Sequence, residues 1–154
     1  MNMKKTISVL LLIFIAISLC ACIKQVSNVA YDELIINLKN VGYTIEAEDV
    51  EESILLGERK WLTVDGSENI SVYLYESNDE MEKDASYLSD DGFSYNNGKE
   101  SAEIEWISYP HFFKSQNMII LYVGEDSEII HVLEEIIGPQ FSGKREQTPQ
   151  IKEL

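Results

Sequence analysis

The only two cysteines of this chain, Cys20 and Cys22, stand at the end of one apolar run, so any fold downstream of them has to be held by its core and not by disulfides. The run accounts for the cysteines. Lys4 and Lys5 precede an uncharged stretch from Thr6 to Leu19, which ends in Leu19-Cys20-Ala21-Cys22. A basic start, a short apolar stretch and a small residue ahead of a cysteine form the pattern of a lipoprotein signal cut before Cys22. Cleavage before Cys20 would place bulky Leu19 at the small-residue position. As a helix the uncharged stretch rises only about 21 Å, short of the roughly 30 Å hydrocarbon core, which argues against a permanent span.

The expected organisation is a signal peptide over 1–21, a lipidated Cys22 with a tether over 22–28, one domain over 29–141 and a flexible tail over 142–154. A diacylglycerol on the Cys22 sulfur supplies two chains at one residue, the double anchoring that a single chain lacks. The expected address is the extracytoplasmic face of a cell membrane. Ile23 after the lipidated cysteine is compatible with a Gram-positive cell membrane or a Gram-negative outer membrane.

Charge narrows the partners. The chain carries 12 basic and 27 acidic residues, a net charge of −15, and loss of Lys4 and Lys5 with the leader makes it more negative still. Such a surface repels nucleic acid and anionic headgroups and attracts basic proteins or peptides. A content of 45% hydrophobic and 10% aromatic residues is that of a globular domain, enough for a single core.

Hydrophobic spacing predicts the elements. Tyr31, Leu34, Ile35, Leu38 and Val41 recur at helical intervals after Ser27 and Asn28, either of which can cap, and Gly42 supplies the stop. The acidic text from Ile45 to Glu52 reads as a solvated loop. Strands follow over Leu56–Val64 and Asn69–Glu76, joined through Asp65-Gly66, with Ile70, Val72 and Leu74 alternating against Ser71, Tyr73 and Tyr75. Ser77 with Glu80 makes a capping box for a helix carrying Met81, Ala85 and Leu88. A polar loop over Ser89–Lys99 leads to a third strand with Ala102, Ile104 and Trp106 inward. Met118–Val123, apolar on both faces, reads as a central strand, and Asp126 or Ser127 opens a last helix ended by Gly138-Pro139. The order is α-β-β-α-β-β-α. It predicts an α+β fold of about four antiparallel strands with helices mostly on one face, and it hints at a duplicated ββα unit.

Tyr75-Glu76, Asn78-Asp79-Glu80, Asp91-Gly92, Trp106, Pro110-His111-Phe112, Leu121-Tyr122-Val123-Gly124 and Gly138-Pro139-Gln140-Phe141 form a pattern over about half the chain. In it the chain resembles a group of small bacterial lipoproteins of uncharacterised function. The resemblance implies an envelope address; it brings no activity and no site residues. The Asn96-Asn97-Gly98-Lys99 loop departs from the pattern.

Trp106 to Lys114 is the one segment with the residue types of a site. Trp106, Tyr109 and Phe112 could stack on a sugar ring or anchor a peptide, and His111 could exchange a proton. The structural alternative is that the rings pack at the end of the sheet, Pro110 fixes a turn and His111 hydrogen-bonds to backbone. For metal, Asp90-Asp91-Gly92 with Asn96 and Asn97 offers oxygens to Ca²⁺, but not in the spacing of an EF-hand loop, and a plain solvated turn is the better reading. No other cofactor is expected. For catalysis, only His111 and His131 are present, and no Gly-x-Ser-x-Gly, His-Glu-x-x-His or glycine-rich phosphate loop occurs. The expectation is a lipid-anchored, non-enzymatic binding module with a basic protein or peptide partner. The alternatives are a small-ligand or carbohydrate-binding lipoprotein, and an inhibitor or immunity protein against a basic enzyme.

Overall fold

A computed structural model describes residues 29–143. The leader, Cys22, the tether, the two expected cap residues Ser27 and Asn28, and the tail beyond Gly143 lie outside the described residues.

Helix α1 (Val29–Asn40) buries Ala30, Leu34 and Leu38, one side chain per turn, and ends at Gly42 with a φ of +112° that an L side chain rarely adopts. Strands β1 (Ile45–Val50), β2 (Glu58–Val64) and β3 (Glu68–Leu74) follow. Then come α2 (Asn78–Ala85), the short β4 (Ser94–Asn96) and β5 (Ser101–Glu103), β6 (Pro110–Ser115), β7 (Met118–Val123) and α3 (Ser127–Ile137). The main sheet is antiparallel in the order β1-β2-β3-β7-β6, and β4 with β5 forms a separate two-stranded ribbon.

The period-2 pattern of β3 and β7 builds both layers. Ile70, Val72 and Leu74 of β3, with Met118, Ile120 and Tyr122 of β7, pack against α1 and α3. Tyr73, Ile119 and Leu121 point the other way, onto Met81 and Ala85 of α2 and Tyr95 of the ribbon. Two of the three helices among the described residues thus share a face, and the expected α+β class and helix placement hold. β7 lies between β3 and β6, as its two apolar faces require.

Five local expectations change. The acidic stretch read as a loop is β1: its backbone pairs with β2 from Ile45↔Val64 to Val50↔Arg59, and its acids are tolerated because an edge strand leaves them in solvent. Asp49 faces Lys60 in register and accepts its ammonium at 2.6 Å. The Pro-His-Phe turn is the start of β6, where a proline costs little because the strand lies at the edge. The third strand is only β5, in the ribbon, with Ala102 exposed; Ile104 and Trp106 follow it outside any strand. Within the expected polar loop, β4 drives Tyr95 into the core. Backbone pairing also continues past Phe141, with Ser142 buried and bridged to Phe112.

The order β2-β3-α2 recurs as β6-β7-α3, but the two helices pack on opposite faces of the sheet. A duplicated unit would relate antiparallel neighbours β3 and β7 by an axis normal to the sheet and leave both helices on one face. The recurrence is one of order alone.

Candidate functional site

The segment Trp106–Lys114 does not converge on one place. Phe112 is fully buried, edge-on to Trp106 at 6.1 Å between ring centroids. His111 has both ring nitrogens occupied, Nδ1 at 2.8 Å from Gln140 Oε1 and Nε2 at 3.0 Å from the Gly124 carbonyl, and its ring stacks on Tyr122. Tyr109 is half-buried, its carbonyl accepting from Gly124 N–H. Three of the four expected site residues therefore lie in core or clamp positions. Trp106 differs. Its indole N–H donates to the Gly92 carbonyl at 2.8 Å, and its ring forms one wall of an open groove of about 490 Å³.

This groove follows from the hairpin. Arg59 and Trp61 on β2 project to the same side as Ser71 and Tyr73 on β3, in the register Arg59↔Tyr73 and Trp61↔Ser71. Across β3, Ser71 pairs with Leu121. A small residue between Trp61 and Leu121 makes a low floor between high neighbours. α2 and the ribbon cover the Tyr75 end of this face. The segment through Glu105, Trp106 and Ile107 rises as one wall and Ile54 stands in another, with Ile107 wholly exposed at the lip.

The polar groups inside are mostly committed. Trp61 Nε1 donates to Asn69 Oδ1 at 3.0 Å, and Ser71 Oγ accepts from Arg59 Nε and Nη2 at 3.2 and 3.0 Å. Arg59 Nη1 donates to the Glu52 carbonyl at 2.8 Å, and its guanidinium lies 4.9 Å from the Trp61 ring centroid and 5.9 Å from that of Tyr73. Its hydrogen-bond partners among the described residues are neutral oxygens. In a chain with 27 acidic residues, Arg59 makes no ion pair among the described residues. Burial raises the Tyr73 phenol above its ordinary range, an effect the nearby guanidinium opposes.

A second cavity of about 540 Å³ lies beside Tyr75, Lys83 and Asp84. Asp84 is buried, and its carboxylate accepts from Tyr75 Oη at 2.7 Å, Tyr95 Oη at 2.6 Å and Leu56 N–H at 2.8 Å. Those donors tie α2 to β3, to the ribbon and to the 53–57 segment. With its oxygens so engaged, Asp84 is a structural anchor.

The candidate Ca²⁺ loop is also committed internally. Asp91 Oδ1 accepts from Ser89 Oγ and Phe93 N–H, which together hold this carboxyl below its usual range. Asn96 and Asn97 accept from the backbone of Gly98, Lys99 and Glu100. Among the described residues no cluster of three or more His, Cys, Asp or Glu side chains is placed to hold a metal ion.

Comparison with protein-family models, curated proteins and solved structures finds no match to this chain.

Arg59, Trp61 and Ser71 are the groove residues that linear reading misses. The signal was present in the hairpin. Once Asp65-Gly66 fixes the turn, residues 59, 61, 71 and 73 fall on one face, where an aromatic and a cation beside a serine mark a concavity.

Proposed function

We propose that this chain is a lipid-anchored, non-enzymatic binding module of the cell envelope that engages its partner through the β2–β3 groove. The observation that carries this reading is the groove itself, a concave site on a rigid sheet with two tryptophans in its lining and an arginine that has no acidic partner among the described residues. The address rests on the Lys4-Lys5 start, the apolar run and Ala21-Cys22, the pattern shared with the small bacterial lipoproteins it resembles. A non-catalytic role is supported by how the histidines are used. His111 clamps β6 to the chain after β7 and to Gln140, and His131 sits on the exposed side of α3 beside Glu135.

Two measurements test this. Mass spectrometry of native protein should find the mature chain beginning at a diacylglyceryl Cys22; an intact leader or a free thiol there rejects the address. Capture from solubilised envelope with the wild-type domain and with Ile107→Asp should recover a partner only with the wild type. Equal recovery by both places binding elsewhere.

A second surface has an observation of its own. Glu46, Glu48 and Asp49 line the outer strand β1, all exposed. A basic protein partner held there would be released as salt rises, because exposed charges are screened beyond about 8 Å at physiological ionic strength.

A further inference from the structure

We propose that the β2–β3 groove receives the free carboxyl terminus of a peptide that ends in an apolar residue and carries basic residues upstream. This rests on the groove being the binding site, and it goes further by assigning the ligand's chemistry and direction.

The argument begins with Arg59. A guanidinium presents five N–H donors in a planar fork suited to a carboxylate. Among the described residues three of its hydrogen bonds go to Ser71 Oγ and the Glu52 carbonyl, and none goes to an anion. Those three hydrogen bonds, with the Trp61 and Tyr73 rings 4.9 and 5.9 Å from the guanidinium carbon, hold the fork in place, so little side-chain freedom remains to be lost on binding. A pre-oriented cation in an aromatic groove is the local complement of one negative group.

The rest of the lining decides what carries that group. Ile54, Ile107, Leu121 and Val123 are apolar, the indole N–H groups of Trp61 and Trp106 are already donated, the Ser71 hydroxyl and Asn69 carbonyl oxygen are accepting, and of the acids in the lining Glu68 accepts from the Tyr122 hydroxyl while Glu105 is exposed at the rim. A ring bearing many hydroxyls would leave them poorly matched, each at a cost in hydrogen bonding. An apolar side chain beside a single carboxylate fits.

The rim sets direction. Glu48 lies opposite Trp61 and Glu46 opposite Thr63, so both share the groove's face, and Glu105 stands on the facing wall; all three are exposed. From Arg59 to Val64 the hairpin runs about 17 Å at the usual rise per residue, room for about five residues of extended chain. With its carboxylate at Arg59, such a peptide passes upstream residues between these acids, where lysine or arginine is favoured. The chain's overall negative charge would discourage a polyanion. A single carboxylate in contact with Arg59 lies well within a screening length of that cation, which dominates its local field.

The test uses a short lysine-rich peptide ending in leucine with a free carboxyl terminus, and the same peptide amidated, titrated by tryptophan fluorescence. Laurate and glucuronate serve as non-peptide carboxylates. The acid peptide should bind at least tenfold tighter than the amide, and Arg59→Gln should remove that difference. Glu105→Lys, at the exposed rim, should weaken both peptides and leave their ratio intact; this readout stands even if Arg59→Gln does not fold. Equal affinity of acid and amide overturns the carboxylate assignment while leaving the groove as a binding site. Binding of laurate or glucuronate without either peptide overturns the peptide assignment. Absence of binding by all four probes overturns this proposal, and the groove falls with it only if Ile107→Asp recovers the same partner as the wild type.

Discussion

At the scale of single residues, the buried acid and the half-buried imidazole are structural devices, and both can be tested as such. Asp84 has no cationic partner among the described residues; Tyr75, Tyr95 and the Leu56 amide supply its hydrogen bonds. Asp84→Ala would strand two phenols and an amide in a buried place, and we expect a loss of roughly 2–4 kcal/mol in urea unfolding. Asp84→Asn keeps the shape and lets a phenol oxygen turn to accept, so it should cost less than the alanine variant. The reverse order would mean that the tyrosines do not depend on this side chain. His111→Phe removes the links to Gln140 and Gly124 and should cost about 1–2 kcal/mol. Peptide affinity in the groove should be unchanged in that variant, and a parallel loss of binding would return His111 to the site. The contrast between Trp106 and Phe112 shows what linear reading could and could not supply. Both are aromatics of one segment, but only the pairing of Phe112 with Leu121 and Ser142 sends its ring into the core.

Elements were legible where their own side chains decide them. β3, β7 and α3 carry patterns that admit one solution: alternation on β3, unbroken apolar text on β7, and Ile129 with Leu133 one turn apart behind the Asp126 cap. β1 and β6 do not announce themselves in the sequence because each is an edge strand whose existence depends on a neighbour's backbone. Neither acids nor a proline disqualify a strand that has one side open. The groove was missed for the same reason, since its residues come together only in the register of β2 on β3. A test at this scale falls on the passage from β7 into α3. A Cβ on Gly124 would overlap the Tyr122 hydroxyl and its Cζ. That ring cannot swing away, because its hydroxyl donates to Glu68 Oε2 at 2.8 Å and accepts from Asp126 N–H at 3.2 Å. Gly124→Ala should therefore destabilise by about 1–3 kcal/mol, the usual cost of forcing atoms into a filled site. An unchanged urea midpoint would show that β7 and α3 can part without penalty.

For the whole molecule, the arrangement of phenols against carboxylates makes stability sensitive to alkali. Burial, reinforced by hydrogen bonds to Asp84 and Glu68, pushes the Tyr95 and Tyr122 phenols up to about 12, and Tyr75 is raised further by the same causes. In the unfolded chain each titrates near about 10. Below that pH both states hold the protons and no dependence arises. Above it the unfolded chain releases protons that the native state keeps, so the unfolding free energy falls as pH rises from about 10 to about 12. The urea midpoint should stay level from neutrality to about pH 10 and then drop steeply, with tyrosinate absorbance of the folded protein lagging behind that of the unfolded chain. Self-repulsion in so acidic a chain would act in the same direction as tyrosinates form, but it is screened by salt. Added salt should recover only the repulsive part of the loss. Tyr122→Phe removes one of the titrating groups and should make the alkaline limb shallower. A midpoint level through pH 12, or a loss wholly reversed by salt, would show that the phenols are not held protonated by the fold.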